Sequence, residues 1–313
     1  MNNPILPFDL RDATQIVPTP HISGTCGEPL APQPPQRKIE GRNLILETNV
    51  EEHCGGRLGA LDLSRKVSKS AYDIAWPRVK TRLHRALCDH MDSGRGLVVV
   101  LEGWDAGGKT GAATRLFEGV APAHFTMSHT GAPTKAEKMH HFLWRFRQLD
   151  PRNRHICVFD RSWYGRVLFE RVEENLPKAL WMSAYDDINQ YEAGLVDRHV
   201  DVIKFWLHID FETQKKRLQD RLFSADKAAK LTDDDFRNYC LRGPYCDAAN
   251  DMLAHTDNDM APWILVPGNN KRHARLVMAR ALTKFLQARQ KAKEQAKKQA
   301  KQQPEQLEGA MPC

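Results

Sequence analysis

Residues 96–115 read GLVVVLEGWDAGGKTGAATR, and their reading decides the fold. Leu97 to Leu101 form an unbroken apolar run rich in valine, the pattern of a strand buried on both faces. Gly103, Gly107, Gly108, Lys109 and Thr110 follow and fit G-x-x-x-x-G-K-[ST], the Walker A pattern, without a mismatch. Ala112, Ala113, Leu116 and Phe117 then recur at helical spacing, which gives strand, glycine loop and helix in order. Glycines let such a loop curl so that successive N–H groups point at an anion, and the new helix adds its positive end. Lys109 brings a full charge to the same oxygens, so phosphate binding is the working inference.

The chain around this loop has 313 residues, 41% of them hydrophobic, enough for one large domain or two modest ones. No stretch approaches the roughly 20 consecutive apolar residues that a membrane helix needs. The opening MNNPILPFDL lacks the basic start and apolar run of a secretory signal, so a cytoplasmic globular protein is expected. Seven scattered cysteines without a C-x-x-C pair indicate neither a disulfide framework nor a zinc ribbon. The net charge of +7 owes most to RQKAKEQAKKQAK at 289–301, which holds six basic residues against one acid. That run has helix-forming composition without an apolar face, which disfavours a nucleic-acid arm against a solvated tail.

Residues 1–60, with VPTP and APQPPQ, read as an extended proline-rich arm. Residues 61–288 read as one domain and 289–313 as a basic low-complexity tail. A helix ends at Gly94 to Gly96, and HFTMSHTGAP, HICVFD, DVIKFWLHID and WILVPG follow as strands separated by helical stretches. Alternation of this kind implies an α/β fold with a parallel sheet covered on both sides. The segment 136–149 reads as one amphipathic helix, with Met139, Phe142, Leu143 and Phe146 toward the core.

HICVFDRSWYGR puts Asp160 at the carboxyl end of a strand, the edge where ligands bind in open α/β sheets. An acid there can hold Mg²⁺ beside the Thr110 hydroxyl. Arg161 and Arg166 offer planar guanidinium groups to phosphate. Between Ala121 and Arg154 stand six lysines and arginines against two acids, and Lys135, Lys138, Arg145 and Arg147 suggest a groove for a long anion. The charged stretch near 217–245 reads as a lid, with Arg217, Arg221, Lys227 and Lys230 offered to the transferring group.

Together EGWDAGGKTGAATRL, PTKAEKMHHFLWRFRQLDP, FDRSWYGRVLFERVE, VIKFWLHI and MAPWILVPGNNKRHARL resemble the polyphosphate kinase 2 family, in the family's order, over roughly 71–286. The wording DRSWYGRVL is most similar to the branch that phosphorylates AMP from polyphosphate. The resemblance implies a three-layer kinase-like fold with a helical lid, Mg²⁺, inorganic polyphosphate and nucleotide as substrates, and self-association. It makes Asp105 and Lys109 the acid and lysine of the phosphate loop, with Asp105 holding metal or orienting the acceptor. It assigns Asp160, Arg161, Arg166 and Glu170 to the second motif, Glu170 on the nucleotide side, and Lys227 and Lys230 to the lid. Two alternatives stand beside this reading: an ATP-using kinase of the thymidylate kinase type, which also has a P-loop and an Asp-Arg pair, and a catalytically degenerate polyphosphate-binding protein.

Overall fold

The computed structural model describes residues 54–222 and 238–308, with side chains described through residue 295. In chain order the helices are α1 (Gly56–Gly59), α2 (Lys69–Asp92), α3 (Lys109–Leu116), α4 (Trp144–Arg147), α5 (Phe169–Val172), α6 (Lys178–Asp197), α7 (Phe211–Leu222), α8 (Arg242–Thr256) and α9 (Lys271–Glu308). The strands are β1 (Gly96–Gly103), β2 (Phe125–His129), β3 (Ile156–Asp160), β4 (Val200–His208) and β5 (Trp263–Pro267). They form one sheet in the order β2-β3-β1-β4-β5, and every pair is parallel. Parallel neighbours require crossovers, which here run over the two faces and make three layers.

Alternation along the central strand explains the layers. Leu97, Val99 and Leu101 pack with Leu83 of α2, Leu116 of α3 and Met278 of α9. Val98 and Val100 face the other way, onto Ile188 of α6 and Met252 of α8. A strand apolar on both faces can sit only in the middle of such a sandwich. Its carboxyl end therefore opens at the middle of the sheet's edge.

β4 breaks the apolar run with two charges, and both are fully buried. Lys204 Nζ donates to Glu192 Oε2 of α6 at 2.6 Å, to the Tyr164 hydroxyl at 2.9 Å and to Thr256 O at 2.8 Å. Glu192 Oε1 in turn accepts from Tyr164 and from the Trp163 indole. Burial pushes the Glu192 carboxyl up and the Lys204 ammonium down, and the hydrogen bonds hold the pair together against both. The network fixes the WY of DRSWYGR from behind. Asp201, at the amino edge, takes Arg95 in a two-point pair at 2.7 and 2.8 Å. Arg289 approaches Asp201 at 3.5 Å and donates to Asp259 O and Met260 O, so α9 continues folded onto the body past residue 288.

Two local expectations differ from what is seen. Cys54 and Cys246 are joined, with Cα atoms 5.6 Å apart, although they lie 192 residues apart in sequence, a distance across which spacing carries no signal. The segment 136–149 is not one helix: a short turn spans Glu137–Met139, His140 is extended, and α4 begins at Trp144. Thr134 and Glu137 cap each other reciprocally and start the turn, but His140 leaves it to stack on Trp144 at 4.3 Å. Leu143 and Phe146 enter the core, whereas Met139 is 81% exposed. Among the described residues no helix is long and apolar enough to cross a membrane.

Removing one partner of the Lys204–Glu192 pair leaves a buried charge uncompensated. Lys204→Met alone should lower unfolding stability by about 3–5 kcal/mol, and Lys204→Met with Glu192→Leu by clearly less, both read from equilibrium urea unfolding.

Candidate active site

The glycine loop leaves β1 with a bend that tolerates no side chain. Gly103 has φ +129°, and a Cβ there would lie 2.3 Å from Leu207 O of the neighbouring strand. Gly108 has φ +102° at the N-cap of α3, a left-handed conformation that glycine adopts without strain. The parallel register pairs Leu101 with Asp160, so the loop and the carboxyl end of β3 emerge side by side. The Thr110 hydroxyl donates to Asp160 Oδ2, and His129 Nδ1 stands 3.5 Å from the same oxygen. Asp160 is 1% exposed, and its Oδ1 has no hydrogen-bond partner among the described residues.

An orphaned carboxylate oxygen beside a hydroxyl is a donor set of hard oxygens, which fits Mg²⁺. Among the described residues no group of three His, Cys, Asp or Glu side chains could hold a metal. Asp160 and Thr110 are the side chains here that would hold it. Asp105 fits a metal less well than the sequence suggests, because both its oxygens are engaged. Oδ1 accepts from Arg161 Nη2 at 2.8 Å and lies 3.7 Å from Lys109 Nζ, and Oδ2 accepts from Asn238. Burial alone would raise the Asp105 carboxyl, but Lys109, Arg161 and the Asn238 amide hold it at about 2. Lys109 donates to Gly103 O at 2.7 Å and Trp104 O at 3.2 Å.

Two cavities open at this edge. One, of about 600 Å³, is lined by the loop, His129, Asp160 and five basic residues, Lys109, Arg161, Arg221, Lys271 and Arg275, against the two acids Asp105 and Asp160. The other, of about 570 Å³, is lined by Phe142, Trp163, Phe169, Leu176, Pro177 and Leu180 among its apolar groups. Its four lysines and arginines face four acids. Lys138 pairs with Glu174 at 3.2 Å, Arg145 with Glu137 at 3.4 Å, Arg166 with Glu170, and His141 with Asp187 at 3.3 Å. Gly131 and Arg161 line both cavities, so the two meet there.

A search against family models matches residues 66–294 to Polyphosphate kinase 2. The chain belongs to the polyphosphate kinase 2 family. It is 39% identical over 236 residues to a polyphosphate:AMP phosphotransferase of Pseudomonas aeruginosa, covering 75% of this chain and 48% of that one. It is 29% identical over 273 residues to ADP-polyphosphate phosphotransferase 3 of Rhizobium meliloti, covering 87% and 91%. The crystal structure of polyphosphate kinase 2 from Arthrobacter aurescens superposes with a TM-score of 0.71 at 28% identity, covering 76% of this chain and 87% of that one. The chain spans about half the length of the Pseudomonas relatives it matches.

Within this polyphosphate kinase 2 fold the expected cationic groove takes a different form. Lys138 and Arg145 line the balanced cavity with their charges already paired, Lys135 lines neither cavity, and Arg147 lies over the Tyr191 ring. Arg166 and Glu170 hold each other at the balanced cavity, and the Arg166 guanidinium lies over Phe142. Arg217 points at main-chain carbonyls and not into the loop cavity. Lys227 and Lys230 lie outside the described residues. Lys271 and Arg275, which sequence reasoning missed, stand one turn apart at the start of α9. Their signal was the basic KRHAR directly after the Asn269-Asn270 break.

The loop rests on a neutral histidine. His208 Nδ1 accepts from the indoles of Trp104 at 3.0 Å and Trp206 at 3.4 Å. Burial, with the nearby Arg242 charge, lowers its pKa to about 4 from 6.5. As pH falls the unfolded chain takes up this proton first. The stabilisation is therefore complete above pH 6.5 and is lost on descent to about 4, on the order of 3 kcal/mol. Asp105 adds a loss of the same sign below 3.8. Melting temperature should fall steadily from pH 6.5 to 4, and His208→Gln, whose amide oxygen can accept the indole hydrogens, should flatten that slope.

Proposed function

We propose that the chain transfers phosphoryl groups between inorganic polyphosphate and a nucleoside mono- or diphosphate, with AMP the acceptor best supported. The observation that carries this reading is the contrast between two cavities that meet at Gly131 and Arg161. A cavity in which basic side chains outnumber acids suits a chain of phosphates, because each added unit is another anion. A cavity with an apolar, aromatic wall and acids equal in number to its lysines and arginines suits a nucleoside. The basic walls at Lys271 and Arg275 weigh against a donor that carries a base, as an ATP-using kinase would need. Identity of 39% to a relative named for AMP, against 29% to one named for ADP and 29% to one named for GDP, supports the acceptor.

In this reading the end of the polyphosphate lies on the glycine loop, and the acceptor phosphate enters from the other cavity beside Arg161. Lys109 leaves its carbonyl partners to meet the transferring group, and Arg161 spans donor and acceptor. Mg²⁺ held by Asp160 and Thr110 would offset charge on the phosphate oxygens. Little covalent work falls to the protein, since phosphoryl transfer depends mainly on positioning and charge. With AMP or ADP as the acceptor, the bond broken and the bond formed are both phosphoanhydrides, so the reaction runs either way with the substrate ratio.

Purified protein with AMP, Mg²⁺ and long-chain polyphosphate, and no ATP, should form ADP detectable by ion-exchange chromatography. Absence of any higher phosphorylated nucleotide would remove polyphosphate as the donor. Lys109→Ala should lower turnover roughly 10²–10³-fold, the range for a lost preorganised charge at the reacting group. Arg275→Glu should raise KM for polyphosphate several-fold and leave KM for AMP within twofold, which locates the donor in the basic cavity.

A further inference from the structure

Arg217 stands on α7 one turn before Arg221, and the two arginines do different things. Arg221 lines the loop cavity, whereas Arg217 does not. Arg217 Nη1 donates to Ala106 O at 3.0 Å and Gly107 O at 3.1 Å, and Nη2 donates to Gly268 O and Asn269 O, both at 2.8 Å. One guanidinium therefore joins the phosphate loop to the turn after β5. In a planar trans peptide the C=O and N–H point to opposite sides. With the Gly107 carbonyl held on Arg217, the Gly108 N–H is turned the other way, toward the cavity that Gly108 lines. The preceding Gly107 N–H is already used on Trp104 O at 2.9 Å.

The geometry points to Arg217 as a positioning residue for phosphoryl transfer: it fixes the peptide planes of the loop so that the Gly108 N–H faces the anion, and it does not touch the anion itself. The inference rests on the phosphotransfer reading above. Four carbonyl oxygens on two segments suit a rigid planar fork, and an ammonium with three donors on one atom cannot span them. Gln214 Nε2 on Asp105 O at 3.3 Å, from the same helix, extends the hold by one residue.

The test compares Arg217→Gln and Arg217→Lys with Arg221→Gln. Steady-state kinetics with AMP and polyphosphate, tripolyphosphate binding by calorimetry across a sodium chloride series, melting temperature, and the ¹H–¹⁵N signal of Gly108 are measured for each. Both Arg217 variants should lower kcat per folded molecule at least tenfold with KM for AMP within twofold. Arg217→Gln should keep the wild-type salt dependence of tripolyphosphate binding, and Arg221→Gln should lose part of it, because only a cation at the anion contributes to that dependence. Tripolyphosphate should shift the Gly108 amide in the wild type and much less in Arg217→Gln. A lost salt dependence in Arg217→Gln would mean that the side chain binds phosphate. Wild-type kcat in a variant with a lowered melting temperature would leave it a merely structural role. Either result overturns the proposal. Should Arg217→Gln not fold, Arg217→Lys, which keeps the stem and the charge, carries the kcat and amide comparisons. Should the wild type bind tripolyphosphate but transfer nothing, the functional reading fails while the Gly108 shift still decides the role of Arg217.

Discussion

A loop that aims N–H groups at an anion must aim its carbonyl groups somewhere else, and beyond the end of a sheet no ladder is there to receive them. Here each carbonyl from Gly103 to Gly107 has a side-chain donor. Lys109 takes Gly103 and Trp104, Gln214 takes Asp105, and Arg217 takes Ala106 and Gly107. Two of these donors come from α7, so the loop has its shape only while α7 is docked. That docking has its own support. Arg242 of α8 donates to Gln214 Oε1 and Ile209 O and lies 4.1 Å over the Trp104 ring, binding α7, the end of β4 and the loop into one assembly. The requirement to satisfy five carbonyls thus explains why a strand, two helices and the turn after β5 converge at one place.

The second organising feature is the separation of unbalanced from balanced charge. In the loop cavity five basic residues outnumber two acids, and one of those acids, Asp105, is held ionised between Lys109 and Arg161. Like charges brought together without an anion repel, and Asp105 supplies an internal counter-charge in the folded chain. The neighbouring cavity lets each acid meet its own base. Its electrostatic field is then weak at distance, and selection there falls to shape and apolar contact, which phosphate chains do not offer.

Much of the fold was legible because it rests on local signals. The stretches read as strands contain all five strands of the described residues, and the G-x-x-x-x-G-K-T spacing together with Asp160 after an apolar strand marked the junction of loop and β3. What escaped depended on partners distant in sequence. Lys204 in DVIKFWLHID looks like a misplaced charge until Glu192, 12 residues back, is seen to meet it inside the core. Lys138 and Arg145 suggested a groove for an anion, but Lys138 meets Glu174 on another segment and Arg145 meets Glu137 across the broken helix. Arg217 and Arg221 are alike in the sequence as basic residues one turn apart. Only the positions of the loop carbonyls distinguish a clamp from a cavity wall.

The meeting point of the two cavities carries backbone strain. Arg161 has φ +64° and Ala106 has φ +60°, left-handed conformations that cost a residue with a Cβ roughly 1–2 kcal/mol each. Both touch Asp105, one as its neighbour in sequence and one as its ion partner. Arg161 is held there by its N–H on Leu101 O at 3.1 Å, and the next residue is anchored twice, Ser162 N and Oγ each donating to Glu102 Oε1 at 2.8 Å. Glu102 is buried, and burial pushes its carboxyl up, so its two hydrogen bonds from Ser162 also offset its own desolvation. Glycine at 161 would relieve the strain but remove the guanidinium common to both cavities. Retaining an arginine in that conformation is consistent with a position set by charge at the junction and not by backbone preference, with the β1 and β3 termini supplying the stabilisation that keeps it there.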